Sequence, residues 1–329
     1  MKMRGAFSWA TLQKLSLVAV LLAVSLVFGL MTEGFAEFGN LRNILLDASP
    51  TIIGAVAMTF VIVTRGIDLS IGSVSNFAIA AAVMLAGTKS AQSITTDTSW
   101  LVYPIALFAG LGLGLVNGLI VTKLRINPLI ATLGTLTLFR GLGLHMTAAS
   151  LYSVEGSIQA LGRGQLLGVG LPVYLAVAAA IIGVFVLALT VAGRQSLALG
   201  GSPRSAAETG IRTDRLLLVV YAAAGMAGAI AGLIIVGRVG VLTSELGFGF
   251  EFTVITAVVL GGTSLFGGRG SIMGSVIAAL LLTTIQNGLN LIGADPYVYD
   301  VVRGLILMLA VTMDTVTSRL SERRLLIRV

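Results

Sequence analysis

The sequence contains no cysteine and a single histidine, and few of its residues are charged. The absence of cysteine excludes disulfide bonds and thiolate metal sites. The lone histidine, His145, cannot form a multi-histidine metal centre. Charged residues make up 11% of the chain, against about 25% in soluble domains. With 56% hydrophobic residues, the chain has too much apolar surface for one soluble core, which predicts a polytopic membrane protein.

Motifs that carry catalysis are also missing. We find no Ser-His-Asp set, no paired catalytic carboxylates and no cluster of metal ligands. The glycine-rich stretch Gly261–Ser271 resembles a phosphate loop, but a Walker loop needs lysine followed by serine or threonine after its last glycine. Here Gly267 is followed by Gly268 and Arg269. We interpret the stretch as a flexible inner turn, and we predict no enzymatic activity, catalytic residue, metal or bound cofactor.

Long apolar runs dominate what remains. A membrane span needs about 20 mostly apolar residues, and the chain offers about ten such segments. The predicted spans are 15–31, 49–64, 70–87, 100–121, 128–147, 171–192, 216–236, 252–266, 272–291 and 297–313. The second and eighth are short, which indicates broken or re-entrant helices.

Basic residues predict the orientation, because cytoplasmic loops collect lysine and arginine. With the N-terminus inside, four basic residues fall in outer loops: Arg42, Lys89, Arg163 and Arg238. The inner set is Lys2, Arg4, Lys14, Arg65, Lys123, Arg125, Arg194, Arg204, Arg212, Arg215, Arg269, Arg319, Arg323, Arg324 and Arg328. Both termini are therefore predicted to be cytoplasmic. The net charge of +7 follows from these inner loops, and no nucleic-acid partner is needed to explain it.

One polar segment, 193–215, divides the spans into two groups of five. We expect a single transmembrane domain over 1–329, with halves at 15–192 and 216–313 and a cytoplasmic tail at 314–329. Within the divider, Ser205–Thr209 suits a short helix that ends at Gly210. The divider is either a plain connector or a docking element for a cytoplasmic partner.

The two halves also echo each other. Residues 66–70 (GIDLS) and 249–253 (GFEFT) share the order glycine, apolar, acid, apolar, hydroxyl. Asn-Gly-Leu at 117–119 recurs at 287–289, and Arg-Gly-Leu at 140–142 recurs at 303–305. These matches pair spans two to five with seven to ten, and they predict an inverted repeat of the kind found in transporters. Chance similarity among Gly- and Leu-rich spans is the alternative.

Two arginines lie inside predicted spans, where a charge must face protein or water. Arg303 has Asp300 three residues before it on one helix face, which favours an ion pair that locks helices. Arg140 needs a partner on another helix, and it either lines a pathway or locks helices. Asn117 and Asn287 can bind sugar hydroxyls or hydrogen-bond between helices.

Small residues mark faces where helices pack closely. Glycines at 110, 114 and 118 are spaced by four, as are those at 228 and 232. In lipid, such stripes let helix backbones approach each other.

The segment Gly66–Ser73 interrupts two apolar runs with polar residues. Asp68 and Ser70 are good N-capping residues, so the segment predicts a helix restart at the inner face. Glu251 and Thr253 would cap a helix in the second half. The restart signature consists of Gly66, Asp68, Ser70 and Gly72.

Together these motifs resemble the permeases of ribose-type sugar ABC importers, in the branched-chain amino acid/ribose permease superfamily. The resemblance covers about Asn40 to Asp314 and includes GIDLSIGS at 66–73, the loop 201–211, AVVLGGTSLFGGRG at 257–270 and NGLNL at 287–291. It implies an all-α fold like that of the cobalamin importer permease, set in the bacterial inner membrane among its lipids.

The resemblance also implies partners and site residues. The partners are a second permease subunit, a cytoplasmic ATPase that uses ATP and Mg²⁺, and a periplasmic sugar-binding protein. The implied cargo is a monosaccharide or similar polyol-like solute, which passes along the fifth and tenth spans. The ATPase-coupling residues would be Arg204, Ala206, Ala207, Glu208, Gly210 and Arg212; the candidate pathway residues are Arg140, Asn117, Asn287 and Arg303. An ion-coupled secondary transporter is the alternative, and it would couple through intramembrane acids.

Overall fold

The computed structural model describes residues 9–90, 93–96 and 99–326, with side chains described for 14–316 within these ranges, apart from residue 296. The predicted inner charges Lys2, Arg4 and Arg328 lie outside the described residues. All other predicted spans and loops can be compared with the structure.

Thirteen helices make up most of the described chain. Their bounds are α1 Trp9–Met31, α2 Phe38–Val63, α3 Ile71–Ala86, α4 Val102–Lys123, α5 Pro128–Thr147, α6 Ser157–Arg163, α7 Leu171–Leu189, α8 Val191–Gly201, α9 Pro203–Glu208, α10 Thr213–Val239, α11 Phe250–Leu260, α12 Ile272–Leu291 and α13 Pro296–Leu326. Each of the ten predicted spans coincides with one of these helices.

Seven helices of the described chain are long and apolar enough to cross a membrane: α1, α2, α4, α5, α7, α10 and α12. Helices α3 and α11 are apolar but shorter. The protein is therefore an all-α polytopic membrane protein, while the count of ten spans stays a prediction.

The second predicted span is longer than the hydropathy of the sequence suggested. Helix α2 has 26 residues and begins at Phe38 rather than near residue 49. Its first turns contain polar residues that lower hydropathy but find partners in the fold: Asn40 bonds Asn287, and Asp47 pairs with Arg238 at 2.9 Å. The eighth predicted span is indeed short, because α11 has only 11 residues.

Helices α2 and α10 form the centre of the bundle. Helix α10 packs against α2, α3, α4 and α6, and α2 also packs against α7, α11 and α12. The contacts repeat when α2–α5 are exchanged for α10–α13. Helix α3 packs on α4 and α5, just as α11 packs on α12 and α13. Helix α4 packs on α10, just as α12 packs on α2. This contact pattern is what the paired halves of the sequence lead one to expect.

A small sheet, which the sequence reading did not predict, closes one end of the bundle. Strands β1 Thr88–Lys89, β2 Ser93–Thr96, β3 Tyr152–Gly156 and β6 Val241–Leu242 pair in that order, with β2 parallel to β3. A separate hairpin joins β4 Gln165–Leu166 and β5 Val169–Gly170. We call this end the sheet end. The sheet joins three loops that were all predicted to lie outside.

The opposite end, which we call the loop end, gathers segments that were predicted to lie inside. Arg65 follows α2 and bonds carbonyls at the end of α8. Lys123 pairs with Asp214 at 3.4 Å, which joins the end of α4 to the start of α10. The structure thus separates the predicted inner and outer loops to opposite ends of the bundle.

The predicted glycine stripes lie at close helix contacts: the stripe of α4 packs on α10, whereas Gly228 and Gly232 of α10 pack on α3. A Cβ atom added at Gly114 would clash with the Tyr221 carbonyl, and one at Gly225 would clash with the Gly110 carbonyl. Gly112, on another face of α4, has open space around it. Backbone approach at these glycines therefore positions α10 in the core.

Replacement of Gly114 by alanine should destabilise the protein by about 1–3 kcal/mol, because the new methyl group overpacks the α4–α10 contact. Thermal unfolding in detergent would measure the loss. Gly112→Ala is the matched control on the same helix and should leave the unfolding temperature unchanged or slightly higher. Equal unfolding temperatures for the two variants would contradict the assigned packing.

Candidate functional site

The signature segment builds a buried polar cluster between α3 and α4. Asp68 Oδ1 accepts hydrogen bonds from the Ser70 backbone N–H (2.9 Å) and the Ser70 hydroxyl (2.7 Å). Asn117 Nδ2 donates to Ser70 Oγ at 2.7 Å. Asp68, Ser70 and Asn117 are all fully buried. The cluster fixes the start of α3 against α4, because buried polar groups are costly unless they are bonded.

At the two helix starts, the capping roles predicted for Ser70 and Thr253 are wrong, whereas Asp68 does accept the Ser70 backbone N–H at the start of α3. Ser70 occupies the N-cap position of α3, but its side chain makes no capping hydrogen bond. Its hydroxyl donates to Asp68 instead. In the second half Gly249 is the N-cap of α11 and Glu251 lies in the first turn, while Thr253 Oγ1 accepts from Arg303 at 2.9 Å. A tertiary partner therefore replaces the predicted cap at Thr253, whereas the Ser70 hydroxyl bonds its near neighbour Asp68.

The starts of α3 and α11 meet inside the bundle. A Cβ atom at Gly72 would clash with the Gly247 carbonyl and with Glu251 Oε2. Gly247 has φ +74°, which favours glycine. Arg65, directly before the signature, reaches the loop end, whereas Asp68 within it is fully buried. Two helix N-termini within a bundle create a polar region at depth.

Glu251 is buried near the contacts of both span arginines, because Arg140 packs on Phe248 and Arg303 bonds Gly249. Its side chain is 4% exposed, and its Oε2 atom has no hydrogen-bond partner among the described residues. Arg140 also stacks over the exposed ring of Phe248, 5.0 Å from its centroid. The structure thus brings Arg140 of α5 and Arg303 of α13 to the residues around the start of α11.

Arg303 fastens α13 to α11. It pairs with Asp300 at 2.9 Å, as predicted, and its Nη1 donates to the Gly249 carbonyl at 3.1 Å and to Thr253 Oγ1. Tyr299 packs its ring 5.6 Å from the guanidinium. These bonds give Arg303 a helix-locking geometry.

Asn287 is remote from this acid-centred region. It exchanges two hydrogen bonds with Asn40, each 2.9 Å, which tie α12 to α2. Asn117, its predicted counterpart, bonds Ser70. The two amides therefore both join helices but have different partners, and the structure does not bring either next to Arg140.

A junction of three segments lies at the loop end. Arg65 Nε donates to the Gly200 carbonyl at 2.6 Å and Nη2 to the Gly201 carbonyl at 2.9 Å. Gly268 N–H donates to the Val63 carbonyl at 2.9 Å, and Leu265 N–H donates to Asp314 at 3.0 Å. The glycine-rich stretch interpreted as a flexible turn is therefore tied to α2 and α13.

The predicted coupling helix is α9, one turn and a half long. Ser202 accepts from Ser205 N–H at its start, and Gly210 has φ +82° after its end. Arg204 pairs with Glu208 at 3.0 Å on the solvent-exposed side of the helix. The side chains of Ala207 and Arg212 are exposed, and of the helix only Ala206 is buried. A helix this exposed offers its surface to a partner.

Three groups of this region carried no recognisable signal in the sequence. Tyr221 reaches Gly66, where an added Cβ would meet its hydroxyl at 2.6 Å, yet the sequence shows only a tyrosine in an apolar helix. Arg65 entered the sequence analysis only as a basic residue that predicts orientation, and Asp314 only as the first residue of the cytoplasmic tail. Each becomes visible only when segments far apart in sequence meet. Over the described part of the chain, no group of three or more potential metal ligands comes together.

Comparisons with known proteins agree with this architecture. The profile of the family described as "Branched-chain amino acid transport system / permease component" matches residues 40–311. The ribose import permease protein of Bacillus subtilis is 36% identical over 308 residues, which is 92% of this chain and 93% of the relative. The L-arabinose transport system permease protein of Escherichia coli is 35% identical over 308 residues, which is 93% of this chain and 90% of the relative.

A third relative, the galactose/methyl galactoside import permease protein of Escherichia coli, is 33% identical over 90% of this chain and 92% of its own length. No solved structure matches the chain significantly.

Ser70→Ala should destabilise the protein by about 1–3 kcal/mol, because Asp68 and Asn117 each lose a buried partner. Ser73→Ala is the matched control: Ser73 is equally buried but donates only to the Ser70 carbonyl, which also accepts from Val74 N–H. Thermal unfolding in detergent should show the larger loss for Ser70→Ala. A larger loss for Ser73→Ala would refute the assigned cluster.

Proposed function

Because this chain belongs to the branched-chain amino acid transport system / permease component family, we propose that it is the membrane-spanning subunit of an ATP-driven importer for a monosaccharide. It is a multi-pass protein of the bacterial inner membrane. The observation that carries the proposal is similarity to sugar-importer permeases over nine tenths of both chains. Those relatives are named for ribose, arabinose and galactose, so the similarity supports a pentose or hexose class rather than one sugar.

The sugar pathway would run beside Arg140 and Glu251. Guanidinium and carboxylate groups supply donors and acceptors for sugar hydroxyls, and the exposed Phe248 ring supplies an apolar face. These groups lie where α5 and α13 approach α11, and the family's pathway is expected along α5 and α13. Arg303 would hold α13 in place through Gly249 and Thr253. Asn117 and Asn287 would act through helix packing.

A second permease subunit, identical or paralogous, would complete the pathway. Large apolar side chains on α5 and α13 are exposed, among them Leu133, Leu138, Leu305 and Leu309. Such faces need either lipid or protein against them. We assign the α5–α13 edge to the partner subunit because it carries Arg140, and the apolar face of α7 to lipid.

Coupling to the cytoplasmic ATPase would occur at α9. The ATPase would use ATP and Mg²⁺, and its contact with Arg204, Ala207, Glu208 and Arg212 would cover this exposed helix. Arg65 and Gly268 connect the base of α9 with α2 and α11. A displacement of α9 would therefore reach the end of α2 and the connection between α11 and α12.

The remaining features of the proposal follow from topology. The loop end faces the cytoplasm with both termini, and the sheet end receives sugar from a periplasmic binding protein. The basic residues predicted outside cluster at the sheet end, where Arg163 bonds the Arg238 carbonyl and Lys89 packs on Tyr152. Ten spans in two inverted halves, as in the cobalamin importer permease, would place the two helix starts at the repeat interface.

An ion-coupled secondary transporter is not favoured by the relatives. Its best coupling groups would be the buried acids Asp68 and Glu251. Asp68 Oδ1 accepts from the Ser70 backbone N–H and hydroxyl at the start of α3, which suits a structural carboxylate.

Charge reversal in Glu208→Lys should weaken binding to the ATPase subunit by about tenfold, because it breaks the Arg204 pair and reverses an exposed contact charge. Co-purification and titration of the two subunits would measure it. Glu155→Lys, an equally exposed acid at the sheet end, is the control and should bind as the unaltered protein does. Unchanged binding of Glu208→Lys would remove α9 as the contact.

Arg140→Ala should reduce ATP-driven sugar uptake at least tenfold while the subunits still assemble. Proteoliposomes with ATPase and binding protein would report uptake, and size-exclusion chromatography would report assembly. Arg194→Ala, an exposed arginine of α8, is the control and should transport normally. Uptake driven by a proton or sodium gradient without ATP would overturn the importer proposal itself. Loss of assembly in Arg140→Ala would show that Arg140 only locks helices.

A further inference from the structure

A cavity of about 230 Å³ opens at the sheet end between α2, α6 and the end of α10. Three arginines line it, Arg42, Arg163 and Arg238, and no acid is among the described residues that do. Its volume is several times the about 30 Å³ that one water occupies in the liquid. A cavity with this lining is suited to an anion.

The arginines have donors left over. Arg238 Nη2 pairs with Asp47 at 2.9 Å, but within the described structure its buried Nη1 has no acceptor. The buried Nε of Arg42 likewise finds no acceptor among the described groups. Arg163 is fixed by the Arg238 and Val239 carbonyls. A buried donor without a partner is costly, and for a charged group more so. Two such donors on one cavity point to a missing ligand.

The surroundings of the cavity are apolar and exposed. Gln165 of the cavity begins the β4–β5 hairpin, whose tip residue Leu167 is 91% exposed with φ +50°. A bulky apolar residue in that conformation is strained, and in water its exposure is unfavourable as well. Tyr174 holds the hairpin through the Leu166 carbonyl at 2.9 Å. The hairpin therefore suits the boundary between lipid headgroups and acyl chains.

An apolar groove of about 540 Å³ begins beside the cavity and runs between α2, α7 and α12. Leu45 of the groove and Leu46 of the cavity are consecutive residues of α2. The groove follows α7 from Val173 to Leu189, roughly 24 Å of helix at 1.5 Å per residue. One leaflet is half of a hydrocarbon core of about 30 Å, so an acyl chain fits within the groove.

We propose that this edge binds an anionic phospholipid of the sheet-end leaflet, with its phosphate in the arginine cavity and an acyl chain in the groove. Arginine matches phosphate oxygens with paired donors. Bound lipid would satisfy Arg42 and Arg238 and cover the α2–α7–α12 face. Binding would also stabilise the contact between α2 and the end of α10, the two central helices.

Native mass spectrometry of the purified chain, exchanged into equal amounts of phosphatidylglycerol and phosphatidylcholine, tests this. The unaltered protein and the control Arg194→Gln should retain phosphatidylglycerol at least about tenfold better than phosphatidylcholine. Arg42→Gln should lose about tenfold of this preference, as expected for a hydrogen bond to a charged group. Ala180→Phe, which fills the groove, should reduce retention of both lipids. Because Ala180→Phe tests the groove separately, the proposal can still be refuted if Arg42→Gln does not fold.

Thermal shift of delipidated protein separates the sources of phosphate. Phosphatidylglycerol should raise the unfolding temperature, and inorganic phosphate at the same concentration should not. An equal shift by inorganic phosphate, with no effect of Ala180→Phe, would show a free-phosphate site and overturn the lipid proposal. Equal retention of both lipids by the unaltered protein would overturn it as well. The proposal would also be overturned if Arg42→Gln kept its lipid preference and lost only the binding of an acidic protein partner.

Discussion

Two helices that begin inside an apolar bundle impose the constraint on which the rest of the structure depends. A helix start exposes backbone N–H groups and attracts negative charge, and in a membrane interior these groups must find partners within the protein. At α3, Asp68 accepts the Ser70 backbone N–H, and Asn117 donates to the Ser70 hydroxyl in the same buried cluster. At α11, Glu251 lies buried in the first turn, and Arg303 bonds the Gly249 carbonyl beside it. The polar residues of the chain are few, and many serve these two places.

Glycine makes the arrangement possible. Gly72 and Gly247 let the start of α3 meet the turn before α11, and Gly114 and Gly225 let α4 and α10 touch. At the loop end, Gly200 and Gly268 bring α8 and the α11–α12 connection onto the end of α2. The same property therefore links the buried acids with the exposed α9. This connection consists of close backbone contacts, to which the side chain of Arg65 adds two hydrogen bonds at the loop end.

The two ends of the bundle differ in construction. At the sheet end, short paired strands and an arginine that bonds a helix-terminal carbonyl hold the loops together. The loop end is held by Arg65, by backbone contacts and by Asp314, and it leaves α9 uncovered. A braced end suits contact with lipid and a large protein partner, whereas an uncovered helix suits a partner that moves.

The sequence by itself determined the membrane class, the position of each apolar helix and the separation of loops to two ends, because hydropathy and charge act locally on each segment. It also identified Arg140, Arg303 and the Gly66–Ser73 signature as exceptional. It could not determine that Ser70 bonds Asn117, that α2 continues through polar residues, or that Arg140 and Arg303 contact the residues around the start of α11. Those outcomes depend on partners tens to hundreds of residues away, such as Asn117 for Ser70 and Asn287 for Asn40. Only the tertiary structure decides them, since a buried polar group binds whichever partner the packed helices place beside it.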